Sequence, residues 1–145
     1  VAAAMGLGAA GVQVGTSYLL CPEATTTPLH RAALSSPRAE HTVLTNLITG
    51  RPARGMRNRL LDELGPLSDA PPAFPLATAA LAPLKAAAET LGRDDFSTLW
   101  SGQNATGCRA VSSSGVLSGS HTRTSSHQIV PATLFCGCVP VSSSV

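Results

Sequence analysis

Charged and aromatic residues are scarce in this chain of 145 residues. Asp, Glu, Lys and Arg together make up 12%, and Phe, Trp and Tyr make up 3%, whereas 43% of the residues are hydrophobic, mostly Ala, Leu and Val. This apolar content excludes a highly charged disordered protein as a description of the whole chain. The net charge of +2 is too small to indicate nucleic acid or an anionic membrane as a partner. The length is typical of one domain.

Cysteine is sparse as well. The four cysteines are Cys21, Cys108, Cys136 and Cys138, and their irregular spacing is not that of a disulfide framework. A chain of this length also does not need disulfides in order to fold. We therefore predict reduced thiols and a cytoplasmic location.

Neither a metal centre nor a catalytic triad is indicated by the sequence. The side chains best suited to a metal site are His121, His127, Cys136 and Cys138, but the C-x-C pair has no second pair at a familiar zinc-site distance. No Ser/His/Asp or Cys/His arrangement typical of nucleophilic catalysis stands out. We predict that no metal is bound and assign no catalytic residue.

Residues 1–21 carry no charge, so a signal peptide or membrane helix must be considered. Four glycines and Gln13 interrupt this run, and a basic n-region is absent. The pattern instead predicts a helix that stops at Gly8 or Gly11 and then a buried strand of the parallel type over residues 11–15. Because no start signal precedes the helix, we expect that the true beginning of the protein is missing. No membrane contact is predicted.

A Gly-Thr corner ends this strand, in the sequence GVQVGT followed by SYLL. A strand that turns directly into a helix offers backbone N–H groups, a hydroxyl and the positive end of the helix to a phosphate dianion. Gly15 would allow close approach to the backbone, and Thr16 would supply the hydroxyl. The same pattern also occurs in plain turns, so the residues alone leave both interpretations open.

The middle of the chain predicts short helices separated by linkers. The expected elements are a helix over 29–34, an extended segment over 41–50, a helix over 56–64, a helix over 76–91 that contains Pro83, and a helix that begins near Phe96. Apolar residues line one face of the third and fourth of these elements, at Leu60, Leu61 and Leu64 and at Leu81, Leu84, Ala88 and Leu91. We expect these two helices to pack on each other.

Four arginines cluster at Arg51, Arg54, Arg57 and Arg59. Such a cluster can bind phosphates or nucleic acid. No aromatic residues are interleaved for base stacking, and two carboxylates, Asp62 and Glu63, lie within helical reach. The pattern therefore favours ion pairs within the helix or between domains.

The segment LWSGQ, residues 99–103, contains a second polar motif. Trp100 is expected in the core. Gly102 and Gln103 form a flexible turn whose amide can face a ligand or cap the preceding helix, and the spacing does not distinguish the two. Beyond Arg109 the sequence contains no acidic residue, many serines and no helical period, which predicts an irregular, mobile tail over 111–145.

Read together and in order, the long blocks of residues 1–110 closely resemble the C-terminal part of nitronate monooxygenases, formerly called 2-nitropropane dioxygenases. The blocks are AMGLGAAGVQVGTSYLLCPEA, TVLTNLITGRPARGMRNRLLDELGP and APPAFPLATAALAPLKAAAETLGRDDFSTLWSGQNATGCR. The resemblance implies an α/β fold: a C-terminal fragment of an FMN-binding (β/α)8 TIM barrel with a mainly helical inserted domain. It assigns the last barrel strand and the phosphate corner to 1–21, the inserted domain to 22–95, the start of a returning helix to 96–110 and a divergent tail to 111–145.

The same resemblance implies the site and the reaction. Gly15 and Thr16 correspond to the residues that bind the FMN phosphate, and Gln13 and Gln103 match positions near the flavin. The family's catalytic histidine, on a Gly-Gly-His-Arg type motif, would lie before Val1, so this chain is expected to be inactive alone. The implied reaction is oxidation of alkyl nitronates, such as propionate 3-nitronate, with O2. The oligomeric state stays open.

Two alternatives stand beside this interpretation. A flavin-dependent enoyl-acyl carrier protein reductase shares the barrel and the phosphate corner, although the GRPARG and LW-x-GQ blocks favour the nitronate monooxygenases. The chain can also be a non-catalytic fragment without an independent function. A complete barrel needs about 250 residues, so this chain cannot close one by itself.

Overall fold

Short helices surround a two-stranded antiparallel sheet in the computed structural model, which describes residues 5–11, 14–103, 105 and 107–121. The elements are α1 (Thr16–Leu19), α2 (Pro28–Leu34), a 3-10 helix (Pro37–Glu40), β1 (Thr42–Thr45), β2 (Ala53–Met56), α3 (Arg59–Leu64), α4 (Leu76–Thr90) and α5 (Ser113–His121). The buried strand predicted over 11–15 is wrong for its described residues: 11, 14 and 15 are not in a strand, and Gly11 and Gly15 are exposed. Residues 12 and 13 lie outside this description. No helix in the described part of the chain is long and apolar enough to cross a membrane.

Helix α2 confirms the helix expected over 29–34. Pro28 occupies its first turn, where the missing N–H costs nothing. The hydroxyl of Thr27 accepts a hydrogen bond from the backbone N–H of His30 at 3.3 Å and so caps the helix. The helix ends at Ser35, and a 3-10 helix capped by Ser36 follows directly.

The extended segment expected over 41–50 is confirmed only in its first half. Strand β1 pairs with β2 in the register Thr42↔Met56 to Thr45↔Ala53. Between the strands the chain turns at Gly50, whose φ is +83° and where a Cβ would lie 2.5 Å from the backbone nitrogen of Phe74. Only glycine satisfies both conditions, so the strand cannot continue through this position.

Helix α3 begins three residues later than the helix expected over 56–64, so the predicted start is wrong. Met56 belongs to β2, and Asn58 has an extended backbone. The side-chain oxygen of Asn58 accepts a hydrogen bond from the N–H of Leu61 at 3.3 Å, and its amide donates to the carbonyl of Ser97 at 3.0 Å. This capping residue therefore sets the start of the helix.

The helix expected to begin near Phe96 is also wrong, because no described residue of 96–110 is helical. Residues 97–102, which we name the edge segment, instead run beside β2. The N–H of Met56 donates to the carbonyl of Leu99 at 2.8 Å, and Gly55 forms an antiparallel bridge with Trp100. Pairing with the open edge of β2 satisfies these backbone groups in place of a helix.

Two apolar clusters form the core. The first lies between α1, α2, β2 and the edge segment and contains Leu20, Ala33, Leu34, Ala39, Met56, Leu99 and Ala105. The second consists of Leu47, Ile48, Leu60 and Leu61, with Val43, Leu81, Phe96 and Trp100 packed against it. The sheet and the edge segment contribute to both clusters, so they connect the two halves of the core.

Helix α4 confirms the helix expected over 76–91, with Pro83 inside it, but the expected packing faces are partly wrong. Leu81 contacts the second cluster and Ala88 is buried, whereas Leu64, Leu84 and Leu91 are 51%, 48% and 75% exposed. The small residues Ala77 and Ala88 are the buried positions of α4. Alanine allows close approach of a helix, and this leaves the larger leucines of α4 at the margin of the contact.

The irregular tail predicted over 111–145 is wrong in its first part, because residues 113–121 form helix α5. Its first turn is capped, because the hydroxyl of Ser112 accepts a hydrogen bond from the N–H of Gly115 at 3.2 Å. A carboxylate oxygen of Glu23 accepts hydrogen bonds from the N–H and the hydroxyl of Ser113, both at 3.2 Å. An acidic group at a helix N-terminus is stabilising, and it comes from a distant part of the chain. Residues 122–145 of the predicted tail lie outside the described residues.

We predict that Leu61→Ala destabilises the protein by about 2–5 kcal/mol, because Leu61 is 1% exposed and its loss leaves a cavity. The matched control is Leu84→Ala, which removes the same atoms from a half-exposed position of α4 and should cost no more than about 0.5 kcal/mol. Denaturant unfolding followed by circular dichroism measures both values. Equal losses for the two variants would contradict the packing of α3 and α4.

Candidate phosphate-binding site

The predicted Gly-Thr corner forms the start of α1. Gly15 is the residue before the helix, and its carbonyl accepts a hydrogen bond from the N–H of Tyr18 at 3.0 Å. Gly15 is exposed, and a Cβ built on it would meet no atom within 4 Å. The first N–H groups of a helix have no partner within it. The corner therefore presents backbone donors to open space.

Thr16 joins this corner to the turn that contains Gln103. The side-chain oxygen of Thr16 accepts a hydrogen bond from the N–H of Gly102 at 2.9 Å. A hydroxyl can accept and donate at the same time, so the proton of Thr16 stays available to another acceptor. Gln103 is exposed next to this contact, and Gln13 lies outside the described residues. The structure thus brings together Gly15, Thr16 and the backbone beside Gln103.

Two cysteines hold the buried side of α1. The thiol of Cys108 lies 3.3 Å from the hydroxyl of Ser17, and the thiol of Cys21 donates to the carbonyl of Ser17 at 3.7 Å. Neither thiol forms a disulfide with another described residue, and Cys136 and Cys138 lie outside the described residues, so the expectation of reduced cysteines stays a prediction. Burial raises the pKa of Cys108, and its hydrogen bond with Ser17 opposes this shift. Cys108 is therefore a protonated thiol near neutral pH and packs as a small apolar side chain.

Arg31 fixes the other end of α1, a role that the sequence does not indicate. Its guanidinium donates to the carbonyl oxygens of Leu20 at 2.8 Å, Cys21 at 2.7 Å and Ala24 at 2.8 Å, and its Nε donates to that of Thr26 at 3.3 Å. These carbonyls include the C-terminal end of α1, where cations and donors are favourable. One side chain on α2 therefore determines the path of the chain that leaves the corner.

His30 connects α2 to the edge segment and was likewise not identified from the sequence. Its Nε2 lies 2.9 Å from the carbonyl oxygen of Trp100. Burial lowers the pKa of His30, and the hydrogen bond to Trp100 opposes the shift. A lone histidine in a short helix carries no spacing signal, since its partner lies far along the chain.

The arginine cluster does not form a phosphate grip among the described residues. Two of the arginines form ion pairs, Arg57 with Asp62 at 2.7 Å and Arg59 with Glu63 at 2.6 Å. The guanidinium of Arg54 donates to the carbonyl oxygen of Thr42 at 3.4 Å. The guanidinium of Arg51 lies 4.5 Å from the centre of the Phe74 ring. The two ion pairs confirm the interpretation favoured from the sequence. They are solvent-exposed, so they contribute little to stability.

The residues considered for a metal site lie largely outside the described residues. This applies to His127, Cys136 and Cys138, and the side chain of His121 is not described either. The expectation that no metal is bound stays a prediction.

The pKa of His30 leads to a prediction about stability. In the unfolded chain His30 has a pKa of about 6.5, and in the folded protein the value is lower. As the pH falls from about 7 to about 5, the unfolded state therefore binds more protons, and the free energy of unfolding decreases. His30→Gln keeps an N–H donor without titrating, so its stability should depend less on pH in this window. Denaturant unfolding at several pH values measures both slopes, and identical slopes would refute the assignment.

Known proteins resemble this chain over most of its length. The family model described as nitronate monooxygenase matches residues 1–117, so the likeness extends beyond the residue 110 expected from the sequence and includes the start of α5. A nitronate monooxygenase of Pseudomonas aeruginosa is 39% identical over 118 residues, which cover 81% of this chain and 34% of that protein. A probable nitronate monooxygenase of Staphylococcus saprophyticus is 37% identical over 102 residues, 70% of this chain and 29% of that protein.

A solved structure has a similar fold. The nitroalkane oxidase of Streptomyces ansochromogenes superposes with a TM-score of 0.71 at 36% identity and covers 81% of this chain and 34% of its own. The chain thus spans about a third of the length of the relatives that it matches.

Proposed function

The chain belongs to the nitronate monooxygenase family, a family of flavin-dependent oxidoreductases, and on this premise we propose that it supplies the FMN-phosphate corner of a (β/α)8 barrel enzyme. In this proposal residues 1–21 end the barrel and residues 22–95 form the inserted helical domain. Residues 96–110 return to the barrel, with the edge segment, residues 97–102, in place of the helix that the sequence predicts. The names of the matched relatives support this assignment over an enoyl-acyl carrier protein reductase.

The observation that carries the proposal is the hydrogen bond from Gly102 to Thr16, at 2.9 Å. It places the Gly15–Thr16 corner beside Gln103, and these are three of the four residues proposed to contact FMN. The backbone N–H groups of the corner and the hydroxyl of Thr16 suit a phosphate dianion, because both kinds of group donate hydrogen bonds and neither kind is negatively charged. Open space at Gly15 leaves room for the phosphate oxygens.

The proposed substrates are alkyl nitronates of the propionate 3-nitronate type, together with O2. When bound, the flavin supplies the electron acceptor for the nitronate. The residues of this chain bind and orient: Gly15 and Thr16 hold the phosphate end, and Gln13 and Gln103 lie near the flavin. No proton transfer is assigned to this chain. A cytoplasmic location stays a prediction.

We predict that Thr16→Ala weakens FMN binding by about 1–3 kcal/mol, the range for a lost hydrogen bond to a charged group. Thr16→Ser keeps the hydroxyl and should lose less. Titration of the isotope-labelled chain with FMN, followed by the amide signals of Gly15 and Tyr18, measures the dissociation constants. Equal affinity of the wild type and the alanine variant would exclude a role for the side chain.

We also predict that the 145-residue chain purifies without colour. It contains one proposed phosphate corner and spans about a third of the length of its relatives, so a high-affinity flavin pocket is not expected from it. Absorption spectroscopy of the purified chain provides the measurement. A yellow preparation with one flavin per chain would contradict the prediction.

A further inference from the structure

His30 is a buried titratable side chain that the proposed function does not yet use. It is 8% exposed, and its Nε2 lies 2.9 Å from the carbonyl oxygen of Trp100. A carbonyl oxygen only accepts hydrogen bonds, so Nε2 carries the proton. Because burial lowers the pKa of His30, this neutral form persists near pH 7.

The peptide group that His30 contacts is held on both sides. Its carbonyl, from Trp100, accepts from His30, and its N–H, from Ser101, donates to the carbonyl of Arg54 at 3.3 Å. The orientation of this peptide plane is therefore determined by α2 on one side and β2 on the other.

The next N–H along the chain belongs to Gly102 and donates to the hydroxyl oxygen of Thr16 at 2.9 Å. The N–H of Gly102 lies in the peptide plane that it shares with the carbonyl of Ser101. The orientation of that plane follows from the backbone angles of Ser101, a buried residue, and from the preceding peptide plane, which His30 and Arg54 hold. Once Gly102 occupies a lone pair of the Thr16 oxygen, the hydroxyl proton of Thr16 points away from Gly102 toward other acceptors.

We propose that His30 is a positioning residue for the phosphate corner. By donating to the Trp100 carbonyl, it holds the edge segment so that Gly102 orients the hydroxyl of Thr16 toward a phosphate oxygen of FMN. The inference rests on the proposed function, because it assumes that Thr16 donates to this phosphate. A histidine that only fills space in the core would stabilise the fold without any link to Thr16.

A double-mutant cycle on the full chain tests the link. The variants are His30→Leu, which has no donor, His30→Gln, which keeps one, and each of these combined with Thr16→Ala. We expect His30→Leu to weaken FMN binding about five- to tenfold, the equivalent of one hydrogen bond, and His30→Gln to restore most of the affinity. In the Thr16→Ala background, His30→Leu should cause no further loss.

A second readout does not depend on ligand. The temperature coefficient of the Gly102 amide proton, measured by NMR without FMN, should show a weakened hydrogen bond in His30→Leu and an intact one in His30→Gln. If the wild-type chain shows no binding of FMN or inorganic phosphate even at millimolar ligand, this counts against the proposed function, while the Gly102 readout still tests the positioning role. Unchanged Gly102 behaviour in His30→Leu would overturn the inference, as would equal losses of FMN affinity in both Thr16 backgrounds.

Discussion

The open edge of β2 is the constraint on which the rest of the structure depends. A two-stranded sheet is marginal by itself, and its outer strand exposes backbone donors and acceptors that need partners. The edge segment supplies them: Met56 donates to Leu99 at 2.8 Å, and Ser101 donates to Arg54 at 3.3 Å. The apolar side chains of this same segment, Leu99 and Trp100, contact the first and second core clusters respectively. Backbone pairing and core packing therefore reinforce each other at one short stretch of chain.

The phosphate corner depends on this arrangement although it lies at the other end of the chain. Its helix, α1, has four residues, which is too short to be stable alone. Contacts from outside hold it: Thr16 accepts from Gly102, and Arg31 donates to the carbonyls of Leu20 and Cys21. The corner is thus held by Gly102 of the edge segment and by Arg31 of α2, both of which are distant from Thr16 or Leu20 in sequence.

Local signals predicted α2, α4 and the end of α3, but not the start of α3 or the presence of α5. Pro28 and the Gly-Pro sequence after Leu64 mark a start and an end that the structure shows, and the long alanine-rich pattern of α4 is sufficient to identify it. Strand β2 was missed because its sequence, ARGM, lacks the alternation of a half-buried strand. The edge segment was missed for a different reason: its pairing partner is distant in sequence, and only tertiary contacts favour an extended backbone there over a helix.

The candidate site divides in the same way. Gly15 and Thr16 were predicted because the strand–Gly-Thr–helix pattern is local, and Gln103 because of the resemblance to known enzymes. Arg31 and His30 were not, since each acts through backbone carbonyls that any residue supplies. Helical periodicity showed that α4 has an apolar face that includes Ala88, but it did not show that Ala77 would be buried while Leu84 stays half exposed.

Native-state hydrogen exchange tests most directly whether the edge segment joins the corner to the sheet. The amides to compare are those of Met56, Ser101 and Gly102, which donate three of the hydrogen bonds that the edge segment makes with the sheet and the corner. If the segment, the sheet and the corner form one cooperative unit, all three amides exchange with the same opening free energy and the same dependence on denaturant. Exchange of Ser101 and Gly102 through a local opening of low free energy, while Met56 stays protected, would contradict this account.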